Sequence, residues 1–387
     1  MLNRRDLLSG LATGAAASFF PLGALANVGV SADAIVLGQA AVFEGPASAL
    51  GLGMRDGLLA AFGEANAKGG VHGRKLSLIA EDDGYEPNRS IDATKSLIAK
   101  NVFALVGPVG TPTSMATHAL AKDAGLPFIG PFTGAEGLRD PYLPHVVNVR
   151  ASYFQETEVW IERLTQDRKA AKIAIFYQDD AFGRAGLAGV KKAMDARKMT
   201  LAAEGTFERN TVNVRAALLE IRKASPDAVV MVGPYKPCAE FIKLCKQVKF
   251  EPVFMNISFV GSDALASELG AAGAGVYVTQ VVPLPTDTGI PVVKAYQAAL
   301  AALGGDKKPG FVSLEGYLVG RTVIAGLEKA GKDVSRQSFM AALTNGSFDF
   351  GGFKLGFGPN DNRGSDDVYL TVIGADGQFK SVSSLTA

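Results

Sequence analysis

The sequence predicts an α/β protein built as two doubly wound parallel-sheet lobes joined by a three-strand hinge. Three observations carry that expectation. Short runs that are apolar throughout alternate with helical patterns, as strands buried on both faces by crossover helices do. The alternation occurs twice over in 387 residues. No Gly/Ser/Pro stretch long enough to act as a flexible linker parts the two halves, so they are joined by several short crossings.

The elements follow in order. Residues 34–41 (AIVLGQAA) read as the first strand, and 54–67 as an amphipathic helix. Residues 75–80 make the second strand, followed by a helix over 88–100. Residues 102–107 (VFALVG) form a buried strand, followed by a helix over 114–124. A short strand, 127–131, closes the first series. The second series runs strand 172–177, helix 182–197, strand 201–207, helix 214–224, strand 228–233, helix 238–248 and strand 253–256. Strand 275–282, helices 292–303 and 313–330, and terminal strands near Phe353 and over 368–374 complete the chain. The two late helices arrive too late to belong simply to the second lobe. The expected crossings lie at 147–151, 281–285 and 345–350.

Composition removes several function classes. Lys plus Arg number 39 against 38 Asp plus Glu, which gives no basic field for nucleic acid. Two cysteines exclude a disulfide framework. Cys238 and Cys245 lie seven apart on a helical pattern, about 10 Å along the axis and beyond disulfide reach. His72, His118 and His145 are too scattered for a local metal motif, so neither metal nor cofactor is expected.

Residues 1–26 read as an export signal. Arg4-Arg5 begins it in a twin-arginine-like setting, an apolar run from Leu7 to about Leu22 follows, and Ala24-Leu-Ala26 supplies a small-x-small cleavage site. Removing it deletes two arginines and one aspartate and leaves equal numbers of basic and acidic side chains. The mature chain is expected in the periplasm.

In open parallel sheets, ligands bind outside the carboxyl ends of the strands. After 102–107 comes Pro108-Val-Gly-Thr-Pro-Thr-Ser, entering a helix. Its free N–H groups and the Thr111, Thr113 and Ser114 hydroxyls suit a small anion such as a carboxylate, though simple N-capping uses the same residues. Phe132-Thr133-Gly134 forms a second such turn, which packing alone also explains. In the second half the equivalent loops present Phe182, Tyr235 and Ser258, the two aromatics able either to cover a small ligand or to pack between lobes. Glu81-Asp82-Asp83 and Asp179-Asp180 read as solvated loop caps, because adjacent carboxylates in extended chain point to opposite faces. No phosphate-cradling Gly-x-x-x-x-Gly-Lys-Ser/Thr motif, dinucleotide fingerprint or Gly-x-Ser-x-Gly elbow occurs, so no catalytic residue is assigned.

Several stretches together resemble the periplasmic leucine/isoleucine/valine-binding proteins of ABC transporters. They are Gly45-Pro-Ala-Ser-Ala-Leu-Gly51, Asn66-Ala-Lys-Gly-Gly-Val-His-Gly-Arg-Lys-Leu76, Val106-Gly-Pro108, Gly125-Leu-Pro-Phe-Ile129, Gly183 and Glu315-Gly-Tyr317. The resemblance covers essentially all of 33–387. It implies the type I, Venus-flytrap fold, with one lobe from 33–148 plus 284–345 and the other from 149–283 plus 346–387. It implies a monomer without catalysis that closes on a small solute and delivers it to an inner-membrane permease. It places the ligand at Thr111 and Phe132–Gly134 in the first lobe, and at Phe182 and Tyr235 in the second. Phe182 stands where relatives often carry Tyr, Leu50 likewise, and Ser258 where amino-acid binders commonly present a carboxylate. A branched-chain amino acid is the family default. An aromatic or other organic acid, or an amide, is the rival, sensed by a periplasmic receptor that signals through a separate membrane partner.

Overall fold

The structure, a computed structural model, describes residues 28–385. The export signal read over 1–26 lies outside them. The first lobe is laid down by β1 (Ala34–Ala41), α1 (Ser48–Ala67), β2 (Lys75–Asp82), α2 (Pro87–Ala99), β3 (Leu105–Val106), α3 (Thr111–Asp123), β4 (Phe128–Ile129) and β5 (Val146–Val147). Its five strands are parallel in the order β2-β1-β3-β4-β5. The chain then crosses into α4 (Tyr153–Asp167), β6 (Ile173–Gln178), α5 (Ala181–Asp195), β7 (Ala203–Phe207), α6 (Arg215–Ala224), β8 (Ala228–Val232), α7 (Tyr235–Gln247), β9 (Val253–Asn256), α8 (Ser262–Leu269) and β10 (Tyr277–Gln280). Here β7-β6-β8-β9-β10 repeats the first lobe's order. In each lobe the order reverses direction once, beside the first strand, and the crevice at that reversal is where a doubly wound sheet holds a ligand.

The late helices return to the first lobe. α9 (Pro291–Ala302) and α10 (Phe311–Ala330) pack on α1, and α11 (Arg336–Thr344) packs on α10. α1 and α10 meet almost backbone to backbone. A Cβ on Gly57 would lie 2.0 Å from the Ser313 carbonyl oxygen, and one on Gly316 would lie 2.3 Å from that of Met54. Only glycine permits this approach, which sinks the start of α10, including Glu315, into the interior.

Several details differ from expectation. α1 begins six residues earlier than its apolar periodicity, at Ser48, which puts Leu50 in its first turn. α3 begins at Thr111. The polar helix α4 has no sequence counterpart above; a reciprocal capping box between Ser152 and Gln155 starts it. The second sheet is not wholly parallel: β13 (Tyr369–Ile373) and β14 (Phe379–Ser381) extend it antiparallel. The hairpin β11 (Ser347–Asp349) and β12 (Lys354–Gly356) stays with the first lobe, because Lys329 and Arg321 stack over Phe348 and Phe350 and the Val292 amide donates to the Gly351 carbonyl at 3.0 Å. Asn148 on the first crossing then pairs with Asn362 and Gly364.

Both cysteines lie buried on α7 and pack as small apolar groups, and burial pushes the Cys245 thiol up to about 12. Among the described residues no helix is long and apolar enough to cross a membrane.

Candidate functional site

The carboxyl ends of the two sheets face each other, and the loops singled out above meet there. At the start of α3 the Thr111 hydroxyl lies 2.6 Å from that of Thr133. Both residues are buried. Gly134 follows, with its carbonyl accepting the Tyr153 amide at 2.7 Å. A Cβ there would lie 2.5 Å from the Tyr153 ring, so glycine lets the second lobe's first helix approach. Thr113 does not join this cluster: its hydroxyl donates to the Val109 and Gly110 carbonyls of its own turn. The Ser114 hydroxyl is buried without a hydrogen-bond partner.

Rings from both lobes close over these hydroxyls. Phe259, just past Ser258, lies 4.5 Å from Phe182, 5.2 Å from Phe132 and 6.0 Å from Tyr85. Phe182 in turn lies 5.6 Å from Tyr153. Tyr235, at the start of α7, accepts the Ala49 amide across the cleft at 3.4 Å. Leu50 is fully buried beside Gly261, whose Cβ, were there one, would lie 2.6 Å from a Leu50 methyl. The backbone of Gly261 has φ +79°, where a larger residue is strained. The lobes are therefore shut against each other. An open cavity of about 390 Å³ borders this contact between the lobes, lined by Ala49 and Gly261 and set between α1, α8 and the start of α10; another of about 530 Å³ lies on the second lobe between α4 and α5.

The floor of the cleft also holds charges from outside the strand-end loops. Arg150, on the first crossing, is 1 % exposed and stacks 4.8 Å over the Phe132 ring. It donates to the Ser258 hydroxyl and lies 3.9 Å from Glu156 and 3.5 Å from Glu315. Glu156, in the first turn of α4, receives the Ser258 amide at 2.9 Å, the Ser258 hydroxyl at 2.8 Å and the Thr279 hydroxyl at 2.6 Å. Trp160 donates to the same Thr279 at 2.9 Å, which completes a buried polar chain. Ser258 therefore has a carboxylate beside it after all, supplied from α4. Burial pushes Glu156 upward, opposed by Arg150 and these donors. Burial likewise pushes Glu315 up to about 7, with Arg150 opposing and Glu156 adding to the rise. Arg150 Nε and Nη1 have no hydrogen-bond partner. Burial pushes the Tyr153 hydroxyl up, opposed by Arg150 and by the Thr133 and Thr111 hydroxyls beside it.

Sequence signals for these residues existed but were faint. Arg150 ends the apolar run Val146-Val-Asn-Val, and Glu315 is one charge in an apolar stretch of α10. Of the acidic pairs, Asp179 is exposed and bonded to Arg184. Asp180 is buried and caps α5 through the Phe182 amide at 2.9 Å. Asp83 is no solvated cap either: it is buried, bonded to Tyr85 and Ser90, and pushed up to about 6 by that burial. Among the described residues no His/Cys/Asp/Glu group is arranged to hold a metal ion.

A rim of half-buried polar groups closes the mouth. Arg209 bridges Asp180 of its own lobe at 3.0 Å and Glu86 of the other at 2.8 Å. Asn210 donates to Glu86 at 2.6 Å and to the Gly84 carbonyl at 3.1 Å.

Comparison with known proteins matches residues 34–378 to a family model described as periplasmic binding protein. The Leu/Ile/Val-binding protein BraC3 of Rhizobium johnstonii is 27% identical over 315 residues, 81% of this chain and 84% of that one. A crystal structure of a possible leucine/isoleucine/valine-binding protein from Rhodopirellula baltica SH 1 superposes with a TM-score of 0.87 at 38% identity, covering 92% of this chain and 97% of that one. A solute-binding protein from R. palustris in complex with benzoate has the same fold, with a TM-score of 0.81 at 22% identity over 90% of this chain and 95% of that one.

Proposed function

The chain belongs to the periplasmic binding protein family, and from that premise we propose that it captures a small carboxylate-bearing solute between its lobes and delivers it to an ABC-type permease. The observation that carries the reading is the meeting of the two crevices. The Thr111–Thr133 hydroxyl pair, the Tyr153 hydroxyl and the Arg150 guanidinium share one buried floor. Such a constellation offers donors to an anion, and the surrounding rings exclude water from it. We place the protein in the periplasm, exported by the signal over 1–26. Its family consists of binding proteins, not enzymes.

The mechanism is closure. Solute enters with the lobes apart, its carboxylate docks on first-lobe donors, and Phe182, Tyr235 and Phe259 swing over it. The BraC3 relative is named for leucine, isoleucine and valine, which makes aliphatic amino acids the first solutes to try, with organic acids beside them.

A thermal-shift screen of amino acids and monocarboxylic acids tests this. A solute bound only by the folded state raises Tm, by an amount worth about 2.7 kcal/mol at a hundred times Kd. A broad panel without any shift would sink the reading. Thr111→Val should weaken binding by about 1–3 kcal/mol if its hydroxyl meets the solute.

A further inference from the structure

We propose that Arg150 is the group that recognises the solute's carboxylate, and that the solute carries no ammonium group beside that carboxylate. The inference rests on the reading just given, that the cleft takes a carboxylate-bearing solute, and narrows its class to unsubstituted aliphatic or aromatic monocarboxylates.

The first half follows from unmet donors. Arg150 is buried, its ring contact with Phe132 holds the guanidinium plane, and Ser258 takes only one of its nitrogens. Nη1 has no acceptor. Nε is 3.5 Å from Glu315, too far for a good hydrogen bond. A buried cationic donor left unpaired is costly, so a fixed guanidinium with free N–H groups marks the place of an acceptor. The planar acceptor that matches it is a carboxylate. The Tyr153 hydroxyl belongs to the same floor, beside the Thr111 and Thr133 hydroxyls.

The second half follows from the acceptors. A desolvated ammonium needs an anion with room to accept it. Glu156 does not have it, because three donors and Arg150 already surround its two oxygens. Asp180 is spent on the Phe182 amide, Gln178 at 2.7 Å and Arg209. The strand-end position after β9 carries Ser258, whose amide and hydroxyl both donate. Glu315 is the competing acceptor, but an ammonium reaching it would meet the Arg150 guanidinium as a like charge at short range. A carboxylate on Arg150 requires only that Glu315 yield its partner and take a proton. Glu156 and Arg139 are the other charges that act on it there.

Matched pairs that differ only by the α-ammonium decide the matter: 4-methylpentanoate against leucine, and 3-phenylpropanoate against phenylalanine, titrated calorimetrically into the full mature protein. We expect the acid of at least one pair to bind at least about tenfold tighter than its amino acid. Arg150→Gln should lose about 100-fold or more, with Arg150→Lys restoring part of it, and Glu315→Gln should keep the acid bound. Equal or reversed affinities within the pairs overturn the inference, as does loss of acid binding in Glu315→Gln. The wild-type pairs decide even where an Arg150 variant fails to fold. Tight leucine or phenylalanine with silent acids overturns this inference alone and leaves the carboxylate-binding reading standing. Silence across the whole panel overturns both.

Discussion

The floor and the rim of the cleft use the same chemistry, arginine against carboxylate, to opposite ends. On the floor, Arg150, Glu156 and Glu315 are at most 3 % exposed; Ser258 links Arg150 to Glu156, Thr279 also bonds Glu156, and Glu315 lies 3.5 Å from Arg150. At the rim, Arg209 and Glu86 keep 22 % and 40 % of their side-chain surface in water. Charges taken out of water cost several kcal/mol each and depend on their partners, so a floor residue removed alone leaves its partner stranded. Charges left half in water gain little and lose little. The floor should therefore govern whether the protein folds and what it binds. The rim, whose Arg209–Glu86 and Asn210–Glu86 bonds join the two lobes, should govern only how readily it shuts.

The largest expected effect tests the floor directly. Glu156→Ala strips an acceptor from the Ser258 amide, the Ser258 hydroxyl and the Thr279 hydroxyl at once and leaves Arg150 with Glu315 alone. We expect a loss of about 3–5 kcal/mol in urea unfolding. A loss below about 1 kcal/mol would mean that water enters the floor freely, and the contrast with the rim would collapse.

Next in size is a pH effect. Glu315 has its pKa raised by burial to about 7 from an ordinary 4.5, so the folded protein holds its proton more tightly than the unfolded chain does. Its contribution to stability is fully present below about 4.5 and is lost as pH rises to about 7. Asp83 and Asp263, each pushed up to about 6 by burial, act in the same direction. The informative quantity is thus the difference between wild type and Glu315→Gln. The variant's Tm should fall less between pH 4.5 and 7.5, and parallel curves would show that Glu315 is solvated.

A third test adds one methyl group. Gly134→Ala places a carbon about 2.5 Å from the Tyr153 ring and 2.6 Å from its amide nitrogen. Relief requires α4 to back away, and overpacking of this kind costs about 1–3 kcal/mol. Because α4 also carries Glu156, solute affinity should fall together with Tm. A variant with wild-type affinity would show that the cleft closes without this contact.

The sequence exposes the floor and the rim unequally, for a physical reason. The strand-end loops could be read because parallel strands are wholly apolar and end where Gly, Thr and Pro begin. That places Thr111, Thr133, Gly134, Phe182, Tyr235 and Ser258 around one crevice. The charges on the floor could not be read this way. Arg150, Glu156, Ser258, Thr279 and Glu315 come from separate elements: the second lobe's own fold joins Glu156 to Ser258 and Thr279, and the return of α10 onto α1 through Gly57 and Gly316 brings in Glu315. Glu156 also sits on a helix whose polar composition hides it among surface acids. Thr113 shows the reverse error: a hydroxyl in the right loop that turns back to its own backbone.

The smallest effect belongs to the rim, and it discriminates best between a latch and a bystander. Glu86→Gln removes the charge that faces Arg209 while keeping an oxygen for Asn210. An exposed pair is worth about 0.2–1 kcal/mol, so the closed form should lose that much and affinity should drop by a factor of about 1.4 to 5, with unfolding unchanged in the open form. The difference should vanish near 1 M salt, where the screening length falls to about 3 Å. Titration of any bound solute into both proteins at low and high salt reads this. A drop of more than about tenfold that survives high salt would place the rim in the same energetic class as the floor.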